Sequence, residues 1–371
     1  MPSQTWTLTD GSSNTHESDF CLTADDLPGA KGDWKVTQRV LRGGMSDGVD
    51  LVEIDNGRMR LMVIPSRGMG IWKAQIGDET LGWRSPVRGP VHPKFVPLFD
   101  PSGLGWLEGF DELLVRCGLE SNGAPDFDAQ GQLLYPLHGR IANRPAHNVQ
   151  VTVDETAGTI TLRGVVEETR FHFQKLRMVA SVTTSIDSMS FTVSDTVENF
   201  GGTPAEMQML YHFNVGEPLL APGNRLIAAV GSIKARDSDE VGSTAAWDLF
   251  GPAVAGQPEE CFFLDLLADA TGQTQVLLKS TDGTAGTAVG FNTSSLPCFT
   301  LWKNLVAHED GYVTGLEPGT NFPNPRSVEA EHGRVTALAP GEKWSTELVV
   351  DRLTTSREVS AVEAAIRNLN R

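Results

Sequence analysis

The chain has 371 residues, 40% hydrophobic and 21% charged, with 30 Lys and Arg against 47 Asp and Glu and a formal net charge of −17. These are globular proportions, and so acidic a surface repels phosphate backbones and anionic headgroups, which excludes nucleic acid and membranes as expected partners. The 4 cysteines lie far apart with no C-x-x-C pair, so neither a disulfide framework nor a zinc site is expected.

Residues 1–33 are polar and read as a loosely packed N-terminal extension, with 34–371 as a single domain. The start carries neither a basic n-region nor an apolar h-region, and no run of about 18 apolar residues follows. A soluble, cytoplasmic protein is the expectation. From 49 the chain alternates in short runs. "DNG" at 55–57 marks a hairpin turn, and "GDE" at 77–79 closes the next strand. Residues 86–146 are rich in Gly, Pro and aromatics and read as long functional loops between strands. "ETAG" at 155–158 joins two β-branched strands, and 170–204 adds three more around "DSM" and "NFGG". The last segment, 354–371, is the one clear helical pattern, with Val359, Val362, Ala365, Ile366 and Leu369 on one face and Thr354, Thr355 or Ser356 to cap it. The sum is an all-β protein, a large antiparallel β-sandwich with a short C-terminal helix.

Three turn-rich segments gather reactive side chains. "YPLHGRIANRP" (135–145) offers His138 and Arg140, "QMLYHFNVGEP" (208–218) offers His212, and "GLEPGTNFPNPR" (315–326) offers Glu317. The prolines of the third rule out a helix and predict a stiff, irregular loop that presents one acid. "PSRGMGIW" adds Arg67, "GFDELLVRCGLESNG" adds Asp111 and Arg116, and "LWKNL" adds Lys303. Singly, each has an ordinary structural explanation: a half-buried histidine, a surface ion pair, or, for Asp111, a cap to the apolar run after it. Together, aromatics with Arg, Asn and His suit a polyhydroxylated ligand, because rings cover C–H faces and donors read hydroxyls. Trp72, Trp106 and Trp302 are candidates to stack on such a ligand.

"LHGRIANRP", "LYHFNVGEP" and "GLEPGTNFPN", in that order, resemble the signature regions of the aldose 1-epimerase (galactose mutarotase) superfamily. "RGM" with "GFDELLVRCGLESNG" is similar to a branch of it that is known as a domain of unknown function, and the likeness runs from about residue 43 to 352. The resemblance implies the supersandwich fold and interconversion of the α and β anomers of a free sugar. Glu317 would be the general base and His212 the general acid, acting without metal or cofactor. Arg67, His138, Arg140, Asp111, Arg116 and Lys303 would bind substrate. The asparagine that usually precedes the acid histidine is absent, and "RCGLESNG" is foreign to the better-known mutarotases. Three readings therefore stay open: mutarotation, carbon-acid chemistry such as isomerisation, epimerisation or elimination at the same site, and non-catalytic sugar binding. The expected partner is a small-molecule sugar, neutral, acidic or sulfonated, and exposed sheet edges leave a homodimer open.

Overall fold

Strict alternation of side chains decides most of the architecture. In Lys175–Ser185, Leu176, Met178, Ala180 and Val182 are buried while the residues between them face outward, and the next strand, Ser190–Asn199, repeats the pattern. A period of two puts every second residue on one face, so such strands bury one side of a sheet and wet the other. The computed structural model describes residues 3–27, 31–237 and 244–369. Within them two antiparallel sheets of 10 and 13 strands pack face to face over one apolar core.

The turns fall where the sequence places them. The "DNG" hairpin joins Asp50–Asp55 to Arg60–Ile64, and "ETAG" joins Asn148–Asp154 to Thr159–Thr169. The C-terminal helix spans Ser356–Asn368, capped by a box in which the Thr355 hydroxyl accepts from Glu358 N and the Glu358 carboxylate accepts from Thr355 N. Val359 and Ile366 seat it on Leu277, Ala288 and Leu353. The last two residues of the expected helix, 370 and 371, lie outside the described residues.

Two expectations need correction. Residues 1–33 are not loosely attached: Gln4–Asp10 pairs with Asn148–Asp154 in the smaller sheet, and Asp19–Thr23 pairs with Lys35–Val40 in the larger. Leu8, fully buried, anchors the first of them (1–2 and 28–30 lie outside the described residues). Glu317 is not on a loop either. "GLEPG" is the end of the strand Val313–Gly319, the irregular part is 320–325, and a short helix, Arg326–Glu331, follows Pro325.

The larger sheet positions the site. Its middle runs Glu260–Leu266, Cys298–Asn304, Val313–Gly319, Ala205–Gly216, Leu114–Leu119. Leu114–Leu119 and Val313–Gly319 are buried on both faces. One face meets the other sheet; segments from 83 to 137 cover much of the other, and beneath them lies a cavity of about 510 Å³.

Candidate functional site

Register brings the two central side chains together. Leu210 pairs with Gly319 and Phe213 with Leu316, so His212 stands opposite Glu317 on the neighbouring strand. The pairing is interrupted between these points, where Pro318 brings no N–H. His212 Nε2 lies 3.2 Å from Glu317 Oε1, and the two residues are 4% and 3% exposed at the cavity floor. Adjacent strands thus place the two side chains side by side on one wall of the cavity. Gly315 makes the room: a Cβ there would come within 2.5 Å of Glu317 Oε1 and 3.0 Å of His212 Cε1.

The hydrogen bonds around His212 settle its tautomer. Asn214 Nδ2 donates to the Glu112 carbonyl at 3.0 Å and to the His212 carbonyl at 3.2 Å, so its Oδ1 accepts from His212 Nδ1–H at 2.7 Å. The neutral ring then leaves Nε2 without a proton, 3.2 Å from Glu317 Oε1. Burial pushes the Glu317 carboxyl up to about 8, aided by the charge of Glu259 and opposed by Arg236. Burial also drives His212 well below its ordinary value, with His138 adding to the effect and the Asn214 bond opposing it. Near neutrality Glu317 therefore keeps its proton and His212 is neutral.

His138 completes the cluster, its ring centroid 5.2 Å from that of His212 and 4.5 Å from that of Trp106. Its φ of 55° is a left-handed conformation uncommon for a residue with a side chain. Backbone bonds hold it there: His138 N donates to Gly123 O, and its carbonyl accepts from Gly118 N. Its Nδ1–H donates to the Asn122 carbonyl at 3.0 Å, which leaves Nε2 to accept, and burial lowers its pKa to about 4. Asn122 is itself fixed by a reciprocal pair of 2.8 Å amide bonds with Asn321, just beyond the Glu317 strand. The anchor of His138 and the strand of Glu317 are thereby tied together.

The remaining expected sugar readers do not line this cavity. Arg67 is buried and spends its guanidinium on Glu112 (2.6 Å), Asn143 (2.8 Å) and the Val91 and Gly109 carbonyls. Arg116 and Lys303 fall on the wrong parity of their strands. Arg116 points between the sheets into a bidentate pair with Asp195, which also accepts from the Tyr211 hydroxyl. Lys303 turns away from the cavity beside Phe250 and Phe262 and pairs with Glu260 at 3.0 Å. Arg140 pairs with Glu120 and Glu168 beside a separate hollow of about 170 Å³. Asp111 accepts from Trp72 Nε1 at 2.6 Å, and burial raises its carboxyl to about 6. Of the three tryptophans, Trp106 and Trp302 line the cavity and Trp72 does not.

Sequence reasoning missed Arg236, Glu259 and Phe110, which also line the cavity. Glu259 accepts from Trp302 Nε1 at 2.7 Å and from Arg236 Nη2 at 2.8 Å. Both charges stand in ordinary acidic or basic surface sequence, and no local pattern marks them. Among the described residues, no group of three or more His, Cys, Asp or Glu could hold a metal ion, and no helix is long and apolar enough to cross a membrane.

With this geometry in hand, known proteins can be compared. A Klebsiella pneumoniae subsp. pneumoniae protein, provisionally named an aldose 1-epimerase, is 34% identical, with a TM-score of 0.95 over 100% of this chain and 96% of its own. A galactose mutarotase-like protein from Clostridium acetobutylicum matches at TM-score 0.58 and 16% identity over 86% of this chain and 98% of its own. An Escherichia coli K12 protein, also provisionally named an aldose 1-epimerase, matches at 0.53 and 17% over 82% of this chain and 99% of its own. The last two share the fold alone. No curated protein is significantly similar. The profile of one family covers residues 46–351, and the chain belongs to that family, the domain of unknown function DUF4432, with the β-sandwich fold of the galactose mutarotase-like proteins.

Proposed function

We propose that the protein is a mutarotase-like isomerase that interconverts the anomers of a free sugar through the Glu317–His212 pair. The observation that carries this reading is the 3.2 Å approach of a buried carboxyl to the Nε2 of a tautomer-fixed imidazole. The two oxygens on an anomeric carbon are neighbours, so two side chains on one wall can address both. The anomeric O1–H gives its proton to His212 Nε2, and Glu317 gives its proton to the ring oxygen. The C1–O5 bond breaks with its electron pair on O5, leaving an aldehyde, an imidazolium and a carboxylate. Rotation about C1–C2 and reversal of the same transfers close the other anomer and restore both groups. The proton inventory supports Glu317 as acid and His212 as base, the reverse of the roles implied by the resemblance. The names of the compared proteins agree with this reaction class.

Exchange NMR in D₂O on a panel of free sugars tests the reading. Wild type should accelerate anomer exchange without washing out any C–H signal, and Glu317→Gln should lose about 10²–10⁴-fold, the worth of one positioned acid or base. Loss of a C2–H signal without anomer exchange would move the reaction to carbon-acid chemistry. The rate should fall as pH rises through about 8, where Glu317 loses the proton it must donate. A rate that rises through that pH would restore the opposite roles.

A further inference from the structure

Distribution of polarity within the cavity carries information that the reacting pair does not. The polar side chains that can hold a sugar's reacting end, Glu317, His212 and His138, lie together at the floor, ringed by Trp106, Phe110 and Trp302. One side of the mouth is aliphatic. Leu104 and Leu107 line the cavity although each is 44% exposed, and Ala124, Pro125 and Leu137 continue the same side. Those segments are joined, since Leu137 N donates to Gly103 O at 2.9 Å and Gly103 packs on Pro125.

The neutral polar side chains near the mouth already make hydrogen bonds within the protein. Ser85 Oγ donates to Phe110 O at 2.7 Å and accepts from Val87 N at 3.0 Å. Asn304 Nδ2 donates to Gly311 O at 3.0 Å. Arg236, the only Lys or Arg among the described lining residues, is held between Asp237 and Glu259. Glu259 and Asp310 add negative charge to the same lining. An anionic group on a ligand would meet those carboxylates with no free cation to offset them. A hydroxyl remote from the reacting carbon would lose its water against leucine and proline.

We propose that the natural substrate is an uncharged sugar whose end remote from the anomeric carbon is apolar, as in a 6-deoxy or terminally acylated sugar, with that end against Leu104, Leu107 and Leu137. This specificity rests on the proposed reaction, because the reacting pair at the floor is what orients the sugar with its remote carbons toward the mouth. A methyl-sized difference in an apolar pocket discriminates about 10- to 200-fold, so the preference is large enough to measure.

The test is direct binding to the wild-type chain, followed by quenching of tryptophan fluorescence, of sugars that differ only at C6. D-Fucose, D-galactose and D-galacturonate form one series. D-Quinovose, D-glucose and D-glucuronate form a second, and the corresponding D-manno and L-galacto compounds two more. In the series that binds best, the deoxy sugar should bind at least about tenfold tighter than its hydroxymethyl parent, and the uronate weakest. Leu107→Lys should erase the deoxy preference while keeping the fold, checked by circular dichroism. Equal or tighter binding of the parent or the uronate overturns the proposal, as does failure of every deoxy sugar to bind. Anomer exchange, measured separately on the same sugars, reports on the reaction: binding in the expected order without exchange would sink the isomerase reading and leave the specificity standing.

Discussion

Replacing Glu317 by Gln should stabilise the protein, and by an amount that depends on pH. Glutamine is the isostere of the protonated carboxyl and stays uncharged at every pH. In wild type the carboxyl has an ordinary value of 4.5 when unfolded and about 8 when folded. Well below pH 4.5 both states are protonated, and the group contributes no pH-dependent difference. Between the two values the folded chain holds a proton that the unfolded chain has released, so wild-type stability falls as pH rises. Above about 8 the full cost is present. Each pH unit of that window is worth about 1.4 kcal/mol, so the cost approaches roughly 4–5 kcal/mol for this fully buried group. Paired thermal and urea unfolding of wild type and Glu317→Gln at pH 5, 7 and 9 would read it. The gap should favour the variant and widen from pH 5 to 9. A variant less stable than wild type at pH 7 would refute the reasoning, because it would mean that the pair rests as carboxylate and imidazolium.

Other outcomes follow from the same contacts. Gly315→Ala, which puts a methyl against Glu317 and His212, should fold and lose about 100-fold in anomer exchange, the scale of a small misplacement of reacting groups. Asn321→Ala leaves the buried amide of Asn122 without its partner and should cost about 1–3 kcal/mol in urea unfolding. Arg116→Met strands the Asp195 carboxylate between the sheets and should cost about 3–5 kcal/mol, read as a lowered unfolding midpoint. Lys303→Met should leave sugar binding unchanged, because that side chain turns away from the cavity, and fluorescence titration checks it.

How much of this was legible in the sequence follows from what each signal measures. Alternation and turn chemistry are local, so the sandwich, its hairpins and the capped helix could be read directly. The N-terminal strand was legible too: "TWTLTD" alternates Trp6 and Leu8 against threonines, but its polar composition hid it. His138, His212 and Glu317 were readable as motifs. Their neighbours were not, because whether Arg116 or Lys303 faces the cavity depends on strand parity, which motif order does not carry. Arg67 was misjudged for a related reason. An arginine beside a glycine turn looks free in sequence, and only the fold reveals four acceptors converging on it. Pro318 was taken to mark a loop, yet an inner strand accommodates it at the one place where pairing lapses beside the reacting pair.

The two faces of the larger sheet divide labour between odd and even positions of the same strands. On Cys298–Asn304, Phe299 and Leu301 hold the core, while Trp302, one step along, borders the ligand space. On Ala205–Gly216, Tyr211 and Phe213 pack inward, and His212 between them lines the cavity. A lineage can therefore alter a cavity-facing residue such as Trp302, changing what the cavity accepts, and leave untouched the alternate residues that keep the sheets together. Point substitutions explore new ligands at little risk to folding, whereas a one-residue insertion in either strand would exchange the two sets and forfeit both.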